Sequence, residues 1–209
     1  MLCSCMFAQQ QVTDSLNNTL ATSKNASEKL DSYISLAKHN KHQSPIEGKR
    51  LLTLAKAIAI QLKDTIRLFK IAEIEADIYY IIGDTEKEIT VIKEAVLLVE
   101  QYKNKQLEAR ALKLLGNAYF EIFDYDKQLK SYLKALTIAE KLQDTTLIVS
   151  LYNNIGNTYN DLKMYKKSLV HYEKGLYLCT QNSSHILKST AGTLWGNSGF
   201  VHEQLGNYK

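Results

Sequence analysis

The sequence predicts an all-α protein built from tandem helix–turn–helix units, and three observations carry that reading. One proline and nine glycines in 209 residues are too few for a turn-rich β protein, which places both at its corners. Long runs of Leu, Ala, Lys, Glu, Gln and Ile favour helix. Most telling, the chain says nearly the same thing twice: "LGNAYFEIFDYDKQLKSYLKAL" from Leu115 to Leu136 returns as "IGNTYNDLKMYKKSLVHYEKGL" from Ile155 to Leu176. An apolar content of 45% is ample for a buried core, and the length allows one large domain or two small ones.

The spacing inside the repeat explains the helix pair. Leu112, Leu115, Gly116 and Tyr119 stand at i, i+3, i+4 and i+7, on one face of a first helix. Leu129, Tyr132, Ala135, Leu136 and Ala139 do the same for a second. Small residues at 116 and 135 let two backbones approach, and Asp124 in the break can cap the second helix. Gly156, Tyr159, Tyr165, Tyr172 and Gly175 match Gly116, Tyr119, Tyr125, Tyr132 and Ala135. Gly175 in mid-helix is expected to cost about 1 kcal/mol relative to alanine.

This pattern resembles the tetratricopeptide repeat, a helix–turn–helix unit with Leu-Gly, Tyr, Ala and aromatic positions at set offsets. Gln128 departs from it, where a small residue such as Ser168 is usual. Upstream, Ala76, Tyr79 and Ala95 align with the same positions, followed downstream by Trp195, Gly199 and the turn Gly206-Asn207-Tyr208. "TQNSSHILKST" carries a three-residue insertion. The boundaries read as repeats at 69–108, 109–148 and 149–191, and the first helix of a truncated repeat at 192–209. A degenerate helix pair at 27–66 acts as a cap, with either Ala55 or Ala57 at its small position. The resemblance implies stacking into a right-handed α-solenoid.

Residues 9–26 read as a polar linker. Residues 1–8 read as the remnant of a secretory signal cut after Ala8, although they lack a basic leader. "LCSC" also faintly resembles a lipoprotein site at Cys5; either reading needs an upstream start. Cys179 is expected as a small buried hydrophobe. No stretch approaches the roughly 20 apolar residues of a membrane helix, so membrane contact is expected only through parts outside this sequence. The net charge of +4 is interspersed, which argues against nucleic acid as a partner.

The family's concave surface, lined by first helices, binds peptides or segments of other proteins. On its pattern the inward positions are Glu73, Asp77 and Tyr80; Lys113, Asn117 and Phe120; and Asn153, Asn157 and Asn160. Some members clamp a C-terminal carboxylate. Lys113, Asn117 and Asn157 match that set, but Thr193 and Asn197 stand where two basic residues belong. A working groove implies that Lys113→Glu and Asn157→Ala weaken binding and barely move the melting temperature. A second contact, self-association through the exposed truncated end, is also expected.

No catalytic residue, metal site or cofactor is expected. His39 and His42 read as solvated turn residues, His171 as exposed on a second helix, and His185 as part of a polar linker. Glycine-rich phosphate loops, HExxH and nucleophile motifs are missing. Asn17, Asn25 and Asn182 begin glycosylation sequons, relevant only to a eukaryotic secreted protein. The chain therefore reads as a non-catalytic protein- or peptide-binding scaffold. Its general resemblance is to the extracytoplasmic, periplasmic sensory region of a Bacteroidetes-type signalling protein with a histidine-kinase or DNA-binding output. The alternative is a cytoplasmic scaffold or peptide-responsive regulator.

Overall fold

Ten α-helices and no strand occupy the described residues of the computed structural model, 2–181 and 184–206, with side chains from Val12 onward. They are α1 (Leu2–Thr22), α2 (Ala26–Asn40), α3 (Pro45–Gln61), α4 (Thr65–Ile82) and α5 (Thr85–Gln101). Then follow α6 (Lys105–Glu121), α7 (Tyr125–Leu142), α8 (Thr145–Asp161), α9 (Tyr165–Thr180) and α10 (His185–Gln204).

One local device ends most of these helices and starts the next. Lys63, Gly83, Lys103, Phe123, Gln143 and Lys163 all take a left-handed backbone, with φ between 51° and 76°. They fall every twenty residues along the chain. Behind them, the Asp84 amide reaches back to the Tyr79 carbonyl at 2.9 Å, and the Asp124 amide to Tyr119 at 3.1 Å. Such bonds satisfy carbonyls that the helix end leaves open. Asp64, Asp84, Asn104, Asp124 and Asp144 then accept an amide three residues ahead, a cap that contributes about 1 kcal/mol each. The half-repeat is thus twenty residues. Because the caps fix their starts, α4, α6 and α8 begin at Thr65, Lys105 and Thr145, ahead of boundaries at 69, 109 and 149. Helix α10 begins at His185, before the expected 192. Asn182, Asn207 and Tyr208 lie outside the described residues.

The chain divides into two compact units, Met1–Lys103 and Asn104–Lys209. In the first, α2 pairs with α3 and α4 with α5, while α3 packs on α4 and α1 on α2. Leu30, Ile34, Leu51, Ala55, Ile71 and Ile78 form its core. Ala55 is fully buried and Ala57 exposed, which settles the small position.

The linker expected at 9–26 is instead helical through Thr22. Leu16 and Leu20, one turn apart, pack against the first unit's core. Thr13 and His39 share a hydrogen bond at 3.0 Å, so His39 is held by α1 rather than solvated. The apolar stripe is narrow, and its polar neighbours conceal it in the sequence. Asn25, at the end of the expected linker, caps α2 by accepting the Glu28 amide at 2.9 Å.

In the second unit α6 pairs with α7 and α8 with α9, and α10 lies against α9 and α8. Tyr172, Leu176, Leu187 and Leu194 are among its core residues. A Cβ on Gly175 would come 2.9 Å from a Leu194 methyl, so this glycine makes room for α10. Cys179 is buried, and burial pushes its thiol pKa up.

Candidate binding surface on the first helices

The site in the second unit begins with two glycines. A Cβ on Gly116 would lie 2.4 Å from the Tyr132 ring, and one on Gly156 equally close to Tyr172. Each tyrosine therefore crosses the bare backbone of the first helix and delivers its hydroxyl beyond it. There the Tyr132 hydroxyl donates to Asn117 Oδ1 at 2.8 Å, and the Tyr172 hydroxyl to Asn157 Oδ1 at 2.7 Å. Burial raises the pKa of both phenols, which keeps them protonated donors.

The same two oxygens also link successive first helices. Asn154 Nδ2 donates to Asn117 Oδ1 at 3.3 Å, and Asn197 Nδ2 to Asn157 Oδ1 at 3.1 Å. Asn197 Nδ2 reaches Asn153 Oδ1 at 2.9 Å as well. The donors stand two residues before Gly156 and Gly199, and the acceptors Asn117 and Asn157 one residue after Gly116 and Gly156. The network thus recurs from one repeat to the next.

The consequence is a surface of uneven hydrogen-bonding character. The oxygens of Asn117, Asn153 and Asn157 are occupied, while their Nδ2 groups meet no acceptor among the described residues. Lys113, half-buried on the same helix as Asn117, has no ion-pair partner there; burial, reinforced by Arg110, lowers its pKa. Asn160 Oδ1 is a buried acceptor without a partner. Phe120 is exposed and lies 6.3 Å from Phe123, as part of an aromatic cluster at the helix turn.

The first unit holds the other three expected positions on α4. Tyr80 is exposed and Glu73 half-buried. Asp77 is paired with Lys41 at 2.6 Å. Sequence reasoning missed Asn154 and the tyrosine hydroxyls as members of the network. The sixteen-residue step from Gly116 to Tyr132, repeated from Gly156 to Tyr172, was the available signal. Among the described residues no group of His, Cys, Asp and Glu could hold a metal ion. No described helix is long and apolar enough to cross a membrane.

His171 differs from its expected exposure. Its ring stacks on Tyr159 at 5.4 Å and lies 5.9 Å from Tyr152, with Nδ1 buried and unpartnered. Burial, with Lys174 adding to it, holds the imidazole below its ordinary pKa. The unfolded chain therefore takes up a proton that the folded chain resists. The stability tied to this ring is whole above the ordinary histidine pKa and is lost as pH falls through the lowered folded value. In denaturant titrations from about pH 7.5 to 5, His171→Phe is expected to flatten the acid-side fall of the second unit's midpoint.

Stacked helix hairpins with small residues at their crossings define a helical-repeat protein. The profile of the tetratricopeptide repeat matches residues 109–142 and 149–182, both in the second unit. No curated protein matches it. Among solved structures, BtubC (BKLC) from P. vanneervenii superposes with TM-score 0.79 at 16% identity, covering 96% of this chain and 82% of that one. A signal transduction ATPase with numerous domains and a tetratricopeptide repeat sensor, from Pyrococcus horikoshii, gives 0.74 at 17% identity. The match covers 87% of this chain but only 28% of that protein. A Rap protein complexed with Competence and Sporulation Factor gives 0.68 at 16% identity, covering 97% and 67%. At these identities the likeness is one of fold.

Proposed function

We propose that the first-helix surface of the second unit binds an extended peptide or protein segment, and that the chain is a non-catalytic binding scaffold. The observation that carries this is the row of unused donors. With the oxygens of Asn117, Asn153 and Asn157 occupied, their Nδ2 groups and the Lys113 ammonium are left to face acceptors. An extended backbone offers carbonyl oxygens for them and an N–H for Asn160. The Rap protein that shares the fold is seen with a bound factor, which supports the reading.

The test pans a displayed peptide library against the folded chain and measures the selected peptides by titration. Lys113→Met is expected to weaken them about tenfold and to leave the melting temperature unchanged or raised, because a half-buried cation is removed. Lys130→Glu on α7 is expected to leave binding unchanged. Selected peptides that ignore Lys113, or respond equally to Lys130, would place binding elsewhere; a library that yields none would remove the proposal.

The wider context we propose is the sensory region of a longer bacterial signalling protein, outside the cytoplasm. The repeat sensor of the Pyrococcus protein supports the sensory part, and the short apolar run before Gln9 supports export. A mature N-terminus near Gln9 in an extracytoplasmic fraction is the expected result. A retained Met1 in the cytosol would favour the alternative, an intracellular scaffold.

A further inference from the structure

Two turns in the second unit, α6–α7 and α8–α9, each depart from a local rule followed at the other turns. At the left-handed position, Gly83 and Gly206 carry no side chain, while Lys63, Lys103, Gln143 and Lys163 carry long polar ones. Among the described residues Phe123 alone places an apolar ring there, 69% exposed. At the next position, where Asp84 and Asp124 cap their helices, α9 has Met164, which makes no cap bond and is 45% exposed. Each choice forgoes local stability and puts a large apolar side chain into water. Local rules broken without a folding gain mark functional surface.

These turns share one end of the unit, because α6, α7, α8 and α9 run alternately up and down. Phe120 and Ile122 are exposed beside Phe123, and Tyr125 lies 6.3 Å from the Phe123 ring. Charge flanks this apolar centre unequally. Glu121, Asp124 and Asp126 against Lys127 give the α6–α7 turn a net charge of −2. Lys163, Lys166 and Lys167 against Asp161 give the α8–α9 turn +2. An apolar centre with an acidic flank on one side and a basic flank on the other complements itself under a two-fold rotation.

We propose that this turn edge is a homodimer interface, in which a second copy of the chain docks antiparallel. The α6–α7 turn of each copy then meets the α8–α9 turn of the other. The proposal does not depend on peptide binding by the first helices, since it rests on Phe123 and Met164 at the turns and not on the donors Lys113, Asn117 and Asn157 within α6 and α8.

Sedimentation equilibrium of the chain from roughly 10 to 500 μM, the range suited to a small interface, is expected to show a monomer–dimer equilibrium. Phe123→Gly and Met164→Asn are each expected to weaken it about tenfold or more. Both should also raise the melting midpoint, by roughly 2–4 °C, since each restores the local rule; a general loss of structure would lower it. Lys163→Glu with Lys166→Glu should abolish dimers, as should Glu121→Lys with Asp126→Lys, and the four together should restore them. A monomer at every concentration, or a dimer indifferent to Phe123 and Met164, overturns the proposal. Failure of the fourfold variant to dimerise overturns the two-fold pairing.

Discussion

Tyr172→Ala is expected to be the most damaging single substitution in the second unit, costing about 3–5 kcal/mol. Its ring is almost wholly buried, lies on Gly156, and sends its hydroxyl to Asn157. Gly156→Ala attacks the same contact from the other side. Its Cβ would fall 2.4 Å from the ring, and the ring cannot step aside as the end of a flexible chain could. A cost of about 1–3 kcal/mol is expected. The two losses should not add, because once the ring is gone the new methyl has room. Urea midpoints of both single variants and the double variant measure this coupling. Full additivity would mean that glycine and ring do not share the space.

Asn157→Ala is the second large effect. The sequence alone makes Asn157 a ligand contact whose loss barely moves the melting temperature. The structure gives it a structural duty as well. Its oxygen accepts the Tyr172 hydroxyl at 2.7 Å and Asn197 Nδ2 at 3.1 Å. Removing it strands a buried hydroxyl, at a cost of about 1–3 kcal/mol. Tyr172→Phe in the Asn157→Ala background should recover part of that loss, because the stranded donor disappears with it. Thermal melts of the single and double variants decide the matter. Weakened peptide binding by Asn157→Ala is therefore ambiguous, and Lys113 is the cleaner probe of the surface.

Much of the architecture was legible because the repeat states it twice. Gly116 and Tyr132 recur as Gly156 and Tyr172 at the same separation, and each pair forms the same contact. Asp124 caps as expected. What was not legible depended on partners outside the helix in which a residue sits. Gly175 looks like a weak point in α9 until Leu194, from a helix one hairpin on, is seen against it. His171 carries no pattern of its own; the tyrosines that enclose it are on α8. Helix α1 escaped notice because Leu16 and Leu20, which pack on the core, stand among polar residues. At the candidate surface, residue types were readable, but not which end of each carboxamide was already engaged. That follows from hydroxyls arriving through the glycine gaps, which no single-helix periodicity encodes.

The twenty-residue turn device bears on how the chain comes into being at the ribosome. The left-handed residue and its capping neighbour bond only to groups a few positions away, so each helix end is specified before any later helix exists. Most packing partners are then next-door helices, and a nascent chain can close each hairpin once its second helix has emerged. Short loops of this kind favour rapid folding. Synthesis and folding can thus proceed at nearly the same front, with about one hairpin of unfinished chain exposed at a time.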